Sequence, residues 1–307
     1  MRAVVVSQWG GPEVLTEVEA ERPEPGLNEI LVRVHAAGVN PVDFKTRASG
    51  ALIGWGDVPM VGWDVSGTVE AVGPGVTLYR AGDEVYGMPN FPRQAGGYAE
   101  YVVAPARHFA PKPASLDHVQ AAALPLAALT AWQALVDTAG LRAGQRVLVH
   151  AAAGGVGHLA VQIAKARGAY VIGTASAGKH ELLRELGADE VVDYRTTDFE
   201  DAVSDVDVVL DAVGGDLGQR SLKVLKQGGH LITLPGPDGL PEDPQGVHAA
   251  WMLVEPDLRG LLEIAALADA GKLRVVIDTV LPLEQAAKAH EIGEQGRTTG
   301  KIVLTVA

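Results

Sequence analysis

Residues 146–157 read Arg146-Val-Leu-Val-His150-Ala-Ala-Ala-Gly154-Gly-Val-Gly157. Arg146 to His150 is a short apolar strand, and a Gly-rich turn follows it. Val156, Leu159, Ala160, Ile163 and Ala164 then fall at i, i+3, i+4, i+7 and i+8, one face of a helix. A strand–turn–helix junction of this kind aims backbone N–H groups and a helix N-terminus at an anion. The glycine pattern is A-x-G-x-x-G, with Ala152 where a dinucleotide fingerprint has its first glycine. Gly154 lets a pyrophosphate approach the backbone, and Gly157 lets the helix pack against the strand. By itself the pattern also fits a tight structural turn, so its surroundings decide.

Downstream, strands and helices alternate. Strand Ala169 to Thr174 precedes a helix carrying Leu182, Leu183 and Leu186 and closed by Gly187. Strands Glu190 to Tyr194, Val206 to Asp211 and Gly229 to Leu234 come next. This spacing predicts βαβ units and a parallel sheet, and with it dinucleotide binding through Ala152, Gly154, Gly155, Val156 and Gly157. Leu234, at the end of its strand, joins the predicted cofactor contacts. A helix over Asp257 to Ala270, a strand over Leu273 to Ile277, a helix over Leu283 to Glu294 and a strand over Lys301 to Val306 complete the chain. Upstream, residues 1 to about 110 are different. Short β-rich runs at Val4 to Val6, Glu29 to His35 and Gly67 to Val72 are separated by Gly/Pro turns, as in an antiparallel barrel-like domain. Ser115 reads as the N-cap of a helix over Leu116 to Ala123.

The 307 residues suit two domains, and a composition 47% hydrophobic and 21% charged excludes global disorder. A net charge of −13, without any Lys/Arg cluster, argues against a nucleic-acid partner. The absence of cysteine excludes disulfides, iron–sulfur clusters, Cys-ligated zinc and thiolate catalysis. Two long windows, Val119 to Val136 and Val147 to Ala164, lack Asp, Glu, Lys and Arg, but Pro125, Gln133, His150, Gln162 and several glycines within them favour buried elements over membrane spans. The N-terminus does not read as an export signal, and a cytoplasmic location is expected.

The end of the second strand bears on cofactor choice. NAD sites place an acid there, about 20 residues past the glycines, to bond the ribose 2′-hydroxyl. Here Gly173-Thr-Ala-Ser176-Ala-Gly-Lys179 has no acid before Glu181, while Ser176 and Lys179 are able to donate to a 2′-phosphate. Tyr194 closes the adenine side in this reading, and NADPH is the expected cofactor. The competing reading makes Ser176 a helix cap and Lys179 a solvated charge.

Several segments together resemble the zinc-independent quinone oxidoreductases of the medium-chain dehydrogenases/reductases. They are His150 to Gly157, Gly38-Val-Asn-Pro-Val-Asp43, Thr130-Ala-Trp132, Leu186-Gly-Ala-Asp189, Val208-Val-Leu-Asp-Ala-Val-Gly214 and Gly300-Lys-Ile-Val303, and the likeness spans the chain. It implies an α/β protein: a GroES-like β-barrel catalytic domain, discontinuous over 1–120 and 273–307, and a Rossmann doubly wound parallel-sheet domain over 121–272. It also implies a homodimer through the Rossmann sheet edge, here through Leu273 to Ile277. Zinc-dependent relatives carry Cys near position 40 and Gly-His-Glu near 62–64. This chain has Asn40 and Gly62-Trp63-Asp64, so metal-assisted alcohol chemistry is not expected. His150 and His158 flank the cradle without metal-ligand spacing and read as core or solvated residues.

A quinone or small α,β-unsaturated carbonyl suits a metal-free site, because hydride addition moves charge onto an oxygen that hydrogen-bond donors can stabilise. Asn40 offers amide donors at the family's substrate position, and Lys45 offers a cation to the substrate oxygen, the nicotinamide ribose or both. Thr130 is placed near the nicotinamide by the resemblance. Two readings stand for Asp43, orienting Lys45 or capping the helix after Pro41. Trp63 reads as a pocket wall, with core packing as its alternative. The loops Gly50 to Val58 and Met88 to Ala95 are expected to shape the pocket. Two other functions compete with the reductase: a noncatalytic NADPH-binding sensor or structural protein, and an enoyl reductase acting on acyl thioesters.

Overall fold

The computed structural model describes residues 1–50 and 59–306. Positions 51–58, and with them most of the first pocket loop expected from the sequence, lie outside the described residues. Two compact units form, one from Met1–Leu129, Glu255–Ala270 and Val275–Ala307, the other from Thr130–Val254 and Gly271–Arg274.

From the N-terminus, β1 (Arg2–Val6) pairs antiparallel with β2 (Leu15–Glu19). Then come β3 (Glu29–Val39), α1 (Pro41–Ser49), β4 (Asp64–Val72), β5 (Glu84–Gly87), β6 (Tyr101–Pro105) and β7 (Phe109–Pro111). Two helices follow, α2 (His118–Ala122) and α3 (Pro125–Trp132). Ser115 does not cap α2. Asp117 does, its carboxylate accepting the Gln120 N–H at 2.8 Å while Gln120 Oε1 accepts the Asp117 N–H at 3.2 Å. The Ser115 N–H donates instead to Asp269.

In the second unit the elements are β8 (Arg146–Val149), α4 (Gly157–Ala166), β9 (Tyr170–Thr174), α5 (His180–Glu185), β10 (Glu190–Val192), α6 (Phe199–Ala202), β11 (Val206–Asp211), α7 (Leu217–Ser221), β12 (Leu225–Thr233) and β13 (His248–Trp251). The six strands lie in the order β10-β9-β8-β11-β12-β13, all parallel. From β8 the chain winds first toward β9 and β10, then crosses back to β11, so the turn after β8 sits at the topological switch point where α/β sheets bind ligands. β10 ends two residues before Tyr194, because the Asp193 carbonyl accepts the N–H groups of Thr196 and Thr197 and turns the chain.

The chain returns to the first unit as α8 (Leu258–Asp269), β14 (Ile277–Pro282), α9 (Ala286–Glu294) and β15 (Lys301–Thr305). Asp257 caps α8 with two side-chain bonds, and Tyr86 Oη donates to the Leu261 carbonyl at 2.5 Å. The barrel sheet runs β14-β15-β3-β4-β5-β7, with β6 also on β3. Its centre is filled by residues such as Ile30, Val32, Val34, Val65, Val85, Phe109 and Leu304. The C-terminal part of β3, Ala36 to Val39, is buried on both faces because α2 covers the second one, where Ala36, Ala122, Ala123 and Val303 permit close packing. Leu273 to Ile277 is not an edge of the Rossmann sheet. Only Ile277 of that stretch is in a strand, and that strand pairs with β15 in the barrel. The edges of the Rossmann sheet are β10 and β13.

Candidate active site

The glycine turn has the geometry of an anion cradle. Ala151 takes a positive φ of 51° after β8, and the Ala152 N–H bonds the Thr174 carbonyl at 3.0 Å, holding the turn to the end of β9. A Cβ on Gly157 would lie 2.3 Å from the Ala151 carbonyl oxygen and 2.7 Å from the Ala152 Cα, so α4 requires glycine there. A Cβ on Gly154 would meet only the Ala151 oxygen, at 3.2 Å, and would otherwise project into open space. Val156 caps α4 without a side-chain bond. Among the described residues, no carbonyl or side chain accepts from the N–H groups of Gly155, Val156 and Gly157. Unpaired donors at a helix start beside open space are what a dinucleotide pyrophosphate requires. Ala152 is tolerated at the first fingerprint position because Gly173 lies opposite on β9: a Cβ there would come within 2.8 Å of the Ala152 methyl.

Beneath the turn, His150 is buried, its Nδ1 3.3 Å from Thr174 Oγ1 and its Nε2 3.3 Å from Ser221 Oγ. Burial pushes its pKa down to about 4, so it is neutral at pH 7. His158 is buried too, with Nδ1 2.9 Å from the Gly154 carbonyl. Both histidines are core residues.

At the end of β9, Ser176 precedes a short turn, and its hydroxyl makes no cap bond. Lys179 is half-buried in the same turn, and Tyr194 is exposed, with the Arg195 guanidinium 6.0 Å from its ring centroid. One premise of the sequence reading fails here. A carboxylate does stand at this turn, because Asp193 Oδ2 accepts the Ala177 N–H at 3.1 Å. Asp193 lies on the neighbouring strand's exit, and local sequence does not reveal that proximity. Leu234 follows β12, half-buried, with its N–H on the Asp211 carbonyl at 2.9 Å. Asp211 Oδ1 ends β11 by accepting the N–H groups of Val213 and Gly214 at 2.8 and 2.9 Å. Thr130, in α3, is buried.

In the barrel unit, Asn40, Asp43 and Trp63 are buried and Lys45 is exposed. Asp43 caps α1, since its Oδ2 accepts the Asn40 N–H at 2.6 Å and the Tyr98 hydroxyl at 3.0 Å, and its Oδ1 accepts the Gly62 N–H at 3.1 Å. Burial, reinforced by the charge of Asp64, pushes its pKa up to about 7 against these donors. Among the described residues, no ion pair joins Asp43 to Lys45 or engages the Lys45 amine. Trp63 packs edge-on against Phe91, centroids 5.6 Å apart, and donates Nε1–H to the Arg93 carbonyl at 2.8 Å, a core arrangement. Asn40 is only 2% exposed. Its Nδ2 donates to Asp64 Oδ2 at 2.8 Å, and its Oδ1 accepts from Lys301 Nζ. Asp64 Oδ1 also takes the Leu126 N–H at 2.7 Å, at the start of α3.

The sequence alone points to Lys301 only as part of the Gly300-Lys-Ile-Val303 motif, with no role, and does not single out Tyr98 or His290. The last two continue the network: Tyr98 Oη lies 3.2 Å from His290 Nε2, and burial pushes the His290 pKa down to about 3. A catalytic zinc does not fit these residues. Trp63 has no ligating atom, Asn40 and Asp64 are turned to the Lys301 ammonium, and the described residues hold no cluster of three His, Asp or Glu able to bind a metal.

Residues 26–114 match the alcohol dehydrogenase GroES-like domain family, and residues 186–304 match the zinc-binding dehydrogenase family. The rat quinone oxidoreductase is 35% identical over 99% of this chain and 97% of its own length. A chloroplastic NADPH-dependent alkenal/one oxidoreductase of Arabidopsis thaliana is 38% identical over 99% of this chain and 79% of its own. Among solved structures, an Escherichia coli quinone oxidoreductase complexed with NADPH is 30% identical, covers all of both chains and superposes with a TM-score of 0.88. No helix among the described residues is long and apolar enough to cross a membrane.

Proposed function

This chain belongs to the quinone oxidoreductase family of medium-chain dehydrogenases/reductases, and within it we propose a metal-free, NADPH-dependent reduction of quinones and small α,β-unsaturated carbonyls. The observation that carries this reading is the cradle, with three unpaired N–H groups and open space over Gly154 at the switch point of a parallel sheet. The relatives named for quinones and alkenals, and the lack of a metal-capable side-chain cluster among the described residues, support this chemistry.

When bound here, NADPH would supply the hydride, from nicotinamide C4, for the electrophilic carbon of the acceptor. Ala152, Gly154, Gly155, Val156 and Gly157 would hold the pyrophosphate, Ser176, Lys179 and Tyr194 the 2′-phosphate end, and Thr130 and Leu234 the remainder. Asn40 donates a hydrogen bond to the acceptor oxygen as negative charge builds there, and Lys45 supplies a nearby cation. Because Asn40 is fixed before the acceptor arrives, its donation requires little reorganisation. The enzyme works in the cytoplasm as a homodimer in this proposal, and β13 is one Rossmann-sheet edge open to pairing.

A panel of quinones, enones and saturated ketones, assayed by NADPH oxidation with and without exhaustive chelation, tests the proposal. Turnover of quinones or enones, unaffected by chelator, with saturated ketones inert, is expected. Turnover abolished by chelation and restored by zinc, or confined to saturated carbonyls, refutes it.

A further inference from the structure

Lys301, the first residue of β15, is 3% exposed. Burying an ammonium ion is unfavourable unless every N–H finds an acceptor, and an apolar residue usually serves stability at least as well. Lys301 Nζ finds three oxygens, the Val39 carbonyl at 3.0 Å, Asp64 Oδ2 at 3.5 Å and Asn40 Oδ1. Three oxygens around three donors match the charged form. Burial pushes Lys301 down and Asp64 up, and each opposes the shift of the other by its charge.

The partners also settle the orientation of Asn40. An ammonium has no lone pair, so the amide atom facing it is the oxygen. A carboxylate has no hydrogen, so the amide atom facing Asp64 is the nitrogen. One Nδ2 hydrogen remains uncommitted. A cation on the carbonyl side polarises an amide and strengthens its N–H as a donor, more so in a low-dielectric interior.

We propose that Lys301 is a positioning residue for the reduction: with Asp64 it locks the Asn40 carboxamide in one orientation, and its charge, acting through the amide, strengthens the remaining Nδ2–H toward the acceptor oxygen. The three residues come from the adjoining ends of β3, β4 and β15, so the barrel sheet itself assembles the group. Lys301 thus provides a fixed positive charge without touching substrate. This inference rests on the reading of Asn40 as the substrate donor.

Four variants test it with an enone acceptor: Asn40→Ala, Lys301→Met, Asn40→Ala/Lys301→Met and Asp64→Asn/Lys301→Met. Lys301→Met is expected to lower kcat by about ten- to a hundredfold, the range for weakening one such donor, with acceptor KM and NADPH Kd within about threefold. The Asn40→Ala/Lys301→Met variant should be no slower than Asn40→Ala. The charge-free pair Asp64→Asn/Lys301→Met guards against a fold defect. It should melt near the parent and turn over slowly. Parental kcat in Asn40→Ala overturns the reading of Asn40. A slow Asn40→Ala beside a fast Lys301→Met, or a fast charge-free pair, overturns the role of Lys301 alone. Multiplicative losses in Asn40→Ala/Lys301→Met would also overturn it, because Lys301 would then act independently of Asn40.

Discussion

Gly154 and Gly157 lie three residues apart in one turn, yet alanine at each should fail differently. At Gly157 the new methyl would sit 2.3 Å from the Ala151 oxygen and 2.7 Å from the Ala152 Cα. Both are backbone atoms, so α4 has to move away from the turn, and overpacking of this kind costs about 1–3 kcal/mol of stability. At Gly154 the only close atom is the Ala151 oxygen at 3.2 Å, which a shift of a few tenths of an ångström relieves. Stability should therefore stay within about 0.5 kcal/mol of the parent, as for most substitutions outside a core. The Gly154 methyl instead enters the space assigned to the pyrophosphate. Losing one or two charge-assisted bonds, at roughly 1.5–3 kcal/mol each, weakens NADPH binding by tenfold or more. Urea unfolding without cofactor and fluorescence titration with NADPH separate the two effects. A Gly154→Ala protein that binds NADPH like the parent would refute the placement of the cradle. A Gly157→Ala protein as stable as the parent would refute the packing argument.

Three further outcomes are expected. The parent should prefer NADPH over NADH by roughly ten- to a hundredfold, one charge-assisted phosphate contact's worth; Lys179→Ala should lose most of that preference and Asp193→Asn should increase it, both read by titration with the two cofactors. Asp43→Asn should destabilise the protein by about 1–3 kcal/mol in urea unfolding, because its amide turns an NH2 toward one of three donors now served by the carboxylate. His150, with its pKa lowered to about 4, contributes stability that is complete above its unfolded value near 6.5 and is lost as pH falls toward 4; urea midpoints measured across that window should drop, and His150→Gln should flatten the drop.

The period change at Arg146 and the glycines after it made the parallel sheet legible, because a buried parallel strand followed by an amphipathic helix leaves a strong pattern. The strand–turn–helix junction itself was legible for the same reason, being local. What depended on distant residues was not. The Asn40, Asp64 and Lys301 group unites positions up to 261 residues apart, and a lysine opening a strand reads as an ordinary surface charge. Asp193 was invisible for a similar reason, since strand adjacency rather than sequence brings it to Ala177. Trp63 was read through the relatives' zinc position, although its packing is set by Phe91 and Arg93. Leu273 to Ile277 reads as one strand because Val275, Val276 and Ile277 are β-prone, yet only Ile277 enters one, and a short apolar run does not say where pairing starts or which sheet accepts it.

The connectivity of the two units has a consequence during synthesis. The second unit is almost one continuous segment, 130–254, and its strands can pair in the order they leave the ribosome. The barrel unit cannot close that way. β15 lies between β14 and β3, and β3 is translated more than 260 residues before Lys301 appears. Until then the edge of β3 from Ala36 to Val39 lacks its partner, although β6 already covers Glu29 to Arg33. Asn40 and Asp64 have no cation between them, and an apolar strand edge is open to other chains. The nascent protein is therefore able to carry a folded parallel-sheet unit while its barrel sheet is still incomplete, and β15 brings both the missing strand and the Lys301 charge.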